Sequence, residues 1–350
     1  MSPSLRFPEF NGEWVLNEMW NIAPLQRGFD LPSGNVLDGT IPVVYSNGIL
    51  RYHNDYKCKA PAVITGRSGT IGKFTYLDKG YYWPHNTTLW VTDFCHNNPK
   101  FIYYLYQTIN ISQFATGSGV PTLNRNDVHR HRCYLPKSID EQRKIAAFLS
   151  LIDERIAIQD RLIDRLQSLM KGIRHRIINE AKGKIVCLCE VSDIYQPQTI
   201  SSADLTETGY PVYGANGIIG HYTSYNHEAE QVCITCRGNT CGGVNYTKSK
   251  SWITGNAMVV NVDRYQNIVS KRYLYHYLSN CDFNSIISGS GQPQIVRAPL
   301  AKFKIILPTV MQQYKIAHCL DVIQNKINVN SNILNLLIRQ KQYLLRKMFI

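Results

Sequence analysis

The sequence predicts an α+β protein in which two similar domains alternate with two long helices. Apolar residues recur at alternating steps of four and three in two stretches, at about residues 138–182 and 309–350. A repeat of 3.5 residues is typical of the seam of a coiled coil. The two seams superimpose at a constant offset of 171 residues, and the segments before them share short motifs in the same order. The chain is therefore expected to be an internal duplication.

Composition favours a polyanionic partner. The chain has 350 residues, enough for two or three domains, and its hydrophobic fraction of 44% is normal for globular cores. Only 18% of the residues are charged, yet the formal net charge is +13, so the chain is poor in acidic residues. Such a balance favours nucleic acid as partner first and an anionic membrane surface second.

Cysteine usage and hydropathy favour a reducing compartment. Ten cysteines are scattered without the spacing of a disulfide framework, and residues 1–10 lack the features of a signal peptide. No apolar run reaches the roughly 18 residues that a membrane-spanning helix needs. We therefore expect reduced thiols, a cytoplasmic location and no membrane association.

The first domain is predicted to occupy residues 1–137 and to consist of short strands, turns and a short helix. Residues 62–65 and 88–91 have the composition of strands, and residues 99–111 have the apolar spacing of a helix. Residues 125–132 hold three arginines and two histidines. This cluster is either a surface that contacts phosphate or a solvated loop.

The first long helix is predicted to occupy residues 138–182. Ser138 is a candidate N-cap, and Glu141 three residues later would complete a capping box. The helix is expected to end near Gly183, and at about 1.5 Å per residue it would be about 65 Å long. That length is too great for one element of a compact core. Its seam comprises Ile145, Leu149, Ile152, Ile156, Gln159, Ile163, Leu166 and Ile173.

Residues 183–308 are predicted to form the second domain, and residues 309–350 the second helix. Residues 47–49, 64–67 and 117–121 match residues 216–218, 234–237 and 289–293, while the residues between them have diverged. The second seam comprises Ile316, Leu320, Ile323, Ile327, Asn330, Leu334, Leu337 and Leu344. Gln159 and Asn330 lie at the middle of their seams, so in an antiparallel pair they could hydrogen-bond each other and fix the register.

Two motifs that suggest ligand chemistry are better interpreted as structural. Residues 66–73 resemble a phosphate-binding loop, but five residues instead of four separate Gly66 from the Gly72-Lys73 pair, and Phe74 replaces the required Ser or Thr. The matched Arg67 and Arg237 are expected at equivalent places on Gly-rich turns. Each would contact a phosphate or guanine, or else a carboxylate within its own domain.

Cys233, Cys236 and Cys241 do not have the full spacing of a zinc site, and buried free thiols are the preferred interpretation. We predict no metal site. We also find no motif of a catalytic serine, a metalloprotease, a dinucleotide fold, an adenine methyltransferase or a nuclease. No catalytic residues are therefore predicted.

With these features in place, the chain resembles the specificity (S) subunit family of type I restriction–modification systems. The resemblance covers nearly the whole chain and combines its opening with both helix starts and its closing residues. Its motifs are Leu5–Phe10 with Gly12–Trp14, Leu135-Pro136 with Glu141–Ala146, Leu307-Pro308 with Gln312-Gln313 and Lys315–Ala317, and Arg346–Phe349. The second helix departs from the family pattern at Gln312, where a glutamate is usual, and Lys341 interrupts its seam.

The resemblance implies two target recognition domains that each read one half of a bipartite double-stranded DNA sequence. It implies that the two helices pack antiparallel as an intramolecular coiled coil in a pseudo-twofold molecule and set the distance between the halves. Two methyltransferase (modification) subunits would dock on this scaffold, and restriction/translocase subunits would join them. S-adenosylmethionine, ATP and magnesium would belong to those partners. This chain would need no cofactor and would not be an enzyme.

Because the two domains have diverged, we expect an asymmetric target. The candidate DNA contacts lie on and beside the Gly-rich turns: Arg67, Ser68, Thr70, Thr122, Asn124, Arg125 and Arg130 in the first domain, and Arg237, Asn239, Thr240, Gln292 and Gln294 in the second. Two other classes remain open. A DNA-modifying enzyme would transfer methyl groups without a partner, and a coiled-coil adaptor would bind protein or membrane and not duplex DNA.

Overall fold

The fold is that of an α+β chain with two long helices, as the sequence predicts. A computed structural model describes residues 1–117, 119–215, 217–289 and 291–350. Ser118, Asn216 and Ser290, which belong to the matched turns, lie outside the described residues. The chain divides into two compact units: unit 1 is Met1–Asp160 with Asn332–Ile350, and unit 2 is Arg161–Ser331. Each unit contains one α/β part and a segment of both long helices.

The first α/β part belongs to unit 1. Its strands are β1 (Val15–Glu18), β2 (Leu25–Arg27), β3 (Ile41–Tyr45), β4 (Gly48–His53), β5 (Cys58–Lys59), β6 (Ala62–Gly66), β7 (Phe74–Leu77), β8 (Tyr81–Pro84), β9 (Thr88–Val91), β10 (Ala115–Thr116), β11 (Thr122–Leu123) and β12 (Arg132–Leu135). Its helices are α1 (Met19–Ile22), α2 (Pro99–Thr108) and α3 (Arg125–Arg130), and the long helix α4 (Ile139–Glu180) follows. The two predicted strands are confirmed as β6 and β9. The predicted helix at residues 99–111 is α2, which ends three residues earlier.

The second α/β part belongs to unit 2. Its strands are β13 (Lys184–Cys187), β14 (Asp193–Tyr195), β15 (Tyr210–Gly214), β16 (Gly217–Tyr222), β17 (Val232–Thr235), β18 (Val244–Tyr246), β19 (Trp252–Ile253), β20 (Ala257–Asn261), β21 (Ile287–Ser288), β22 (Gln294–Ile295) and β23 (Lys304–Leu307). Its helices are α5 (Leu188–Val191), α6 (Lys271–Leu278) and α7 (Arg297–Ala301), and the long helix α8 (Val310–Met348) follows.

The sheet topology is the same in both parts except for one added edge strand, β5, which pairs with β8 in the first part, so the duplication extends to the fold. A four-stranded sheet has the order β2-β9-β6-β7 in the first part and β14-β20-β17-β18 in the second. A second sheet pairs β4-β3-β8 in the first part and β16-β15-β19 in the second, with β3 and β8 parallel, as are β15 and β19. The first and last strands of each part, β1 with β12 and β13 with β23, pair antiparallel.

The register of the four-stranded sheets corrects the alignment made from the sequence. Ile64 pairs with Trp90, and at the same place in the second sheet Cys233 pairs with Val259, an offset of 169 for both partners. Ile64 and Cys233 also pack in corresponding small cores away from the domain helix. The sequence match aligned Ile64 with Ile234, which is wrong by one residue, because a slip of one residue turns every side chain to the other face.

A large core in unit 1 joins the first α/β part to the two long helices. Residues of β6, β9 and α2 pack with Leu149 and Ile152 of α4 and with Leu344 and Met348 of α8. Phe349 contacts Trp14, which donates to Glu141 in the first turn of α4, whereas Lys341 pairs with Asp153 at 2.7 Å further along α4. The helical segments of unit 1 are therefore antiparallel. The ion pair with Asp153 also explains how Lys341 is accommodated in the seam.

The starts of the two long helices differ from the prediction. The Ser138 hydroxyl accepts a hydrogen bond from the Glu141 N–H at 3.3 Å, as expected of an N-cap. The Glu141 side chain does not complete a capping box, because it binds Arg6 and Trp14 instead. A reciprocal capping box does occur at α8, where the Thr309 N–H donates to the Gln312 side chain and the Gln312 N–H donates to the Thr309 hydroxyl.

The structure places every predicted seam residue in a buried or half-buried position. Gln159 and Asn330 are half-buried, and the Asn330 amide donates to the Lys326 carbonyl one turn earlier at 2.7 Å. Their mutual hydrogen bond stays a prediction. Helix α4 ends at Glu180, three residues before the predicted terminal Gly183. Among the residues described, no helix is long and apolar enough to cross a membrane.

Candidate nucleic-acid interface

Three hairpin turns meet at one surface of the first α/β part. The β6–β7 turn is bonded to the β10–β11 hairpin, because the Leu123 N–H donates to the Arg67 carbonyl at 2.7 Å. Ser68 and Thr122 also form an isolated antiparallel β-bridge. The same turn reaches the β3–β4 turn, where the Lys73 ammonium donates to the Asn47 carbonyl at 3.2 Å. We call this group the first three-turn surface.

An equivalent three-turn surface exists in the second α/β part. The Ile295 N–H donates to the Cys236 carbonyl at 3.0 Å, and Arg237 and Gln294 form an isolated antiparallel β-bridge. These two contacts bond the β17–β18 turn to the β21–β22 hairpin. The Thr240 hydroxyl donates to the Ala215 carbonyl at 3.2 Å, which ties the same turn to the β15–β16 hairpin. The duplication therefore preserves the meeting of three turns.

Glycines with positive φ maintain these turns. Gly69 and Gly238 have φ values of 77° and 86°, and Gly117 and Gly289 have values of 110° and 92°. Residues that carry a side chain rarely adopt this left-handed backbone conformation. The shared glycines therefore preserve the turns while their neighbours vary. This agrees with the sequence interpretation of the matched glycines.

The hydrogen-bond pattern shows that Arg67 and Arg237 are not equivalent, as the sequence analysis expected them to be. The carbonyl bound by β11 belongs to Arg67, and the one bound by β22 belongs to Cys236. The bridge residues are Ser68 and Arg237. Arg237 therefore stands at the place of Ser68, and buried Cys236 stands at the place of Arg67. The first turn presents an arginine and a serine where the second presents only an arginine.

Neither arginine makes an ion pair with a carboxylate in the described part of the chain. Arg67 is half-buried and Arg237 is exposed. Of the two alternatives from the sequence, the bridge to a carboxylate is not seen among the described residues, and contact with an external phosphate or base stays a prediction. Both guanidinium groups lie on turns whose backbone is already fixed by the neighbouring hairpin.

The structure gathers the other predicted contacts of the first part around the same surface. Thr70 and Asn124 are exposed, and Thr122 is half-buried. The Asn124 side-chain oxygen accepts from the Asn126 N–H at 3.0 Å and caps α3. Its amide NH₂ is therefore the group that can donate to an external acceptor. Arg125 is exposed at the start of this helix.

The basic cluster at residues 125–132 is not a loop. It consists of α3 and the start of β12, and its side chains are divided between surface and core. His129 is buried and its Nε2 accepts from the Leu25 N–H at 2.9 Å, while burial lowers its pKa. Arg130 pairs with Asp127, and Arg132 pairs with Glu18 at 3.3 Å. Arg125 is therefore the cluster member that faces solvent without a carboxylate among the described residues.

The predicted contacts of the second part are likewise together and exposed. Asn239, Gln292 and Gln294 are exposed on the β17–β18 turn and the β21–β22 hairpin. Thr240 is exposed, but its hydroxyl already donates to Ala215, which leaves its acceptor lone pairs for a ligand. The second surface therefore offers amide donors and acceptors around one arginine.

Sequence reasoning missed one component of the first surface and a cleft beside it. The β3–β4 turn was recognised only as a repeated Asn-Gly motif, although Ser46 and Asn47 contact the Gly-rich turn. No sequence signal marks Trp20, yet it is 57% exposed and lines a cleft of about 410 Å³ with Asn124, Asn126 and Arg130. An exposed tryptophan beside polar and basic groups is a common feature of binding surfaces.

Cys233 and Cys236 of the second part are buried in apolar clusters. Burial raises the pKa of the Cys233 thiol to about 12 and raises that of Cys236 as well. Such thiols remain protonated at neutral pH and are poor nucleophiles and ligands. Over residues 1–117, 119–215, 217–289 and 291–350, no group of three or more His, Cys, Asp or Glu side chains is placed to hold a metal ion.

A sequence family matches this chain twice. The family described as "Type I restriction modification DNA specificity domain" matches residues 16–168 and 181–339. Each matched range contains one α/β part and most of the long helix that follows it. The chain therefore belongs to this family and carries two copies of its domain, in agreement with the duplicated fold.

Curated relatives are specificity subunits. The chain is 31% identical over 148 residues to the type I restriction enzyme EcoprrI specificity subunit of Escherichia coli; the match covers 41% of this chain and 36% of that protein. It therefore spans about a third of that relative. A protein of Mycoplasma pneumoniae described as a "Putative type I specificity subunit" is 25% identical over 281 residues, which cover 73% of each chain.

Solved structures share the fold. A crystal structure of the S subunit of a type I restriction–modification system from M. genitalium has a TM-score of 0.72 at 17% identity and covers 100% of this chain and 99% of its own. A chain from a study of complex assembly and conformational transition in a type I system has a TM-score of 0.56 at 16% identity, covering 97% and 98%. These likenesses confirm the predicted fold class.

Proposed function

We propose that this chain is the DNA-reading subunit of a type I restriction–modification complex, in which each α/β part reads one half of a bipartite duplex target. The observation that carries the proposal is the three-turn surface, which occurs once in each part on the same backbone. Base edges are read by polar side chains that a rigid scaffold presents. Both surfaces meet this requirement with arginine, amide and hydroxyl groups.

The two half-sites should differ in sequence. Arg67 and Ser68 of the first surface are replaced by Cys236 and Arg237 in the second, and Thr122 is replaced by Gln294. Arginine pairs best with guanine, glutamine with adenine, and threonine is less selective. The same fold with different side chains therefore supports an asymmetric target rather than a palindrome.

Electrostatics supports affinity for the DNA backbone. The chain carries a formal net charge of +13, and Arg125 and Lys73 are exposed beside the first surface. Neutralised phosphates release counterions, so the affinity should fall steeply as salt rises. This term holds the chain on any duplex, and the turns then supply the sequence preference.

The long helices are proposed to set the distance between half-sites and to carry the catalytic partners. Each exposes apolar side chains away from its seam: Leu151, Ile158, Leu336 and Tyr343 in unit 1, and Leu169, Val322 and Val329 in unit 2. Exposed apolar residues at helical spacing suit protein partners. The proposed partners are two modification subunits, joined by restriction/translocase subunits.

Chemistry is assigned to the partners. S-adenosylmethionine, ATP and magnesium would bind the modification and restriction subunits. This chain would recognise the DNA sequence, in the cytoplasm and without a cofactor of its own. The specificity-subunit identity of the relatives supports a recognition role rather than a catalytic one.

The test is base-resolution mapping of adenine methylation after co-production of this chain with its modification subunit. We expect a split motif with two unlike halves and a fixed spacer. Methyl transfer by the chain alone would favour the enzyme alternative. A continuous motif, or the absence of any motif in cells that contain both subunits, would contradict the proposal.

A further inference from the structure

One buried glutamine joins the first α/β part to its long helix. Gln142 lies in the first turn of α4 and is 2% exposed. Its carbonyl oxygen accepts from the Asn98 N–H at 2.8 Å, and Asn98 is the N-cap of α2. Its amide donates to the Asn97 side chain at 2.8 Å and to the Pro136 carbonyl at 3.1 Å. The side chain therefore connects α4, the preceding loop and α2.

Gln313 makes the same connection in the second α/β part. It is fully buried in the first turn of α8, and its carbonyl oxygen accepts from the Ser270 N–H at 2.8 Å. Ser270 is the N-cap of α6. The Gln313 amide donates to the carbonyls of Ile268 and Pro308, each at 2.9 Å. The two glutamines are 171 residues apart, so the joint is part of the duplicated design.

Each joint has a second contact on the same pair of helices. Six residues after the α2 N-cap, the Tyr104 hydroxyl donates to Asp153 of α4 at 2.8 Å. Six residues after the α6 N-cap, His276 lies 2.8 Å from Asp321 of α8. The second contact uses different residues in the two units, whereas the glutamine end differs only in one amide acceptor, the Asn97 side chain against the Ile268 carbonyl. A helix held at two separated points cannot rotate on its partner.

The glutamine contact is costly to lose. A buried N–H or carbonyl without a partner loses the solvation that it had in water. Each glutamine satisfies one backbone N–H of the α/β part and one carbonyl that precedes the long helix. Removing it leaves both groups unpaired, so water or a change in the helix angle must satisfy them. The turns of the three-turn surfaces contain no atom of this joint.

We propose that Gln142 and Gln313 are positioning residues that hold each α/β part at one angle on its long helix and thereby restrict the complex to one spacer length between half-sites. This inference rests on the proposed function. One added base pair moves a half-site by about 3.4 Å along the duplex and by about a tenth of a helical turn. Discrimination between neighbouring spacers therefore requires joints that do not yield to such a displacement.

The experiment measures methylation by the complex with its modification subunit. Duplexes carry the two mapped half-sites at the native spacer, and at spacers one base pair shorter and longer. For the wild type we expect a strong preference for the native spacer. In the Gln142→Ala/Gln313→Ala chain, the ratio of methylation at native to neighbouring spacers should fall about fivefold or more, the effect of about 1 kcal/mol. Base preferences within each half-site should be unchanged.

Matched controls use glutamines on the same helices. Gln167 of α4 and Gln340 of α8 are exposed, so Gln167→Ala/Gln340→Ala should keep the wild-type ratio. A thermal unfolding scan accompanies each chain. A lower midpoint with an unchanged spacer ratio would show a merely structural role and overturn the inference.

A second variant covers the case in which the double alanine chain does not fold. Tyr104→Phe keeps the ring and removes only the hydroxyl that binds Asp153. It should broaden spacer selection in the same direction, and an unchanged ratio would again overturn the inference. The wild-type arm separates the two hypotheses: a wild type without any bipartite target refutes the proposed function itself. A bipartite target with unaffected variants refutes only the role of the joints.

Discussion

The strongest stability prediction concerns Glu141, which binds the N-terminal segment to α4. Its carboxylate is 2% exposed and accepts from Arg6 Nε at 2.7 Å, Arg6 Nη2 at 2.8 Å and Trp14 Nε1 at 3.1 Å. Glu141→Ala would leave a guanidinium and an indole N–H without an acceptor in a largely dehydrated site. Removing one partner of a buried ion pair lowers the free energy of unfolding by about 3–5 kcal/mol.

The assay is equilibrium unfolding in urea, followed by tryptophan fluorescence. Trp14 is buried and makes edge contacts with Phe101 and Phe349, so its emission should report on unit 1. With a slope of about 1–3 kcal/mol per molar urea, a loss of 3 kcal/mol lowers the midpoint by about 1 M or more. Glu141→Gln should have an intermediate effect, since it retains an acceptor for Trp14 without the charge.

The control is Arg143→Ala in the same turn of α4. Arg143 pairs with Asp140 at 3.0 Å, but the two side chains are 63% and 75% exposed. Exposed pairs contribute about 0–1 kcal/mol. If Glu141→Ala and Arg143→Ala shift the midpoint equally, burial does not control the strength of the Glu141 pair, and the argument fails.

Three further predictions concern recognition, pH and the seam. Arg237→Ala should relax the base preference at one position of one half-site, by about 1–3 kcal/mol of discrimination; methylome mapping in which both half-sites change would reject modular reading. His276 is fully buried beside Arg272, and burial lowers its pKa to about 4. Since the unfolded chain takes up this proton near pH 6.5, the free energy of unfolding should fall as pH drops from about 6.5 to 4. Urea unfolding across this range should show a weaker dependence in His276→Asn, and equal slopes would disprove the assignment. Leu320→Ala, at a fully buried seam position, should cost about 2–5 kcal/mol, whereas Val322→Ala on the exposed face should cost little; similar urea midpoints would contradict the seam.

The duplication was predictable because its signals are local. A heptad repeat depends only on spacing within one helix, and glycines such as Gly117 and Gly289 mark turns that few other residues allow. These features survive when neighbouring residues change. The predicted contacts therefore lie on turns that the duplication preserves, even though the sequence does not show how those turns meet.

The register of β6 and β17 could not be predicted in the same way. Both strands are buried along their whole length, so their sequences are continuous apolar runs without alternation. The shared Ile-Thr and the nearby arginine then aligned Arg67 with Arg237, one residue out of register. The pairing with β9 and β20, together with the small cores that hold Ile64 and Cys233, fixes which side chain faces the helix.

The role of Glu141 was hidden for a different reason. Ser138 and Glu141 have the spacing of a capping box, which is a local motif. The carboxylate instead binds Arg6 and Trp14, which lie 135 and 127 residues earlier in the chain. Sequence spacing does not reveal a partner at that distance. The neighbouring Gln142 was likewise quoted only as part of a family motif.

The one-residue difference between the turns has a consequence for protein engineering. In a chimera that moves the turn of the second part into the first, the two turns must be aligned by their backbone hydrogen bonds. Arg237 then replaces Ser68, and Cys236 replaces Arg67. A graft aligned on the two arginines would shift the turn by one residue at the end of a buried strand: it would omit the equivalent of Arg67 in the first part, or add one residue in the second. Exchange at the short connections around Pro136, Gly183 and Pro308 leaves every strand and its register intact.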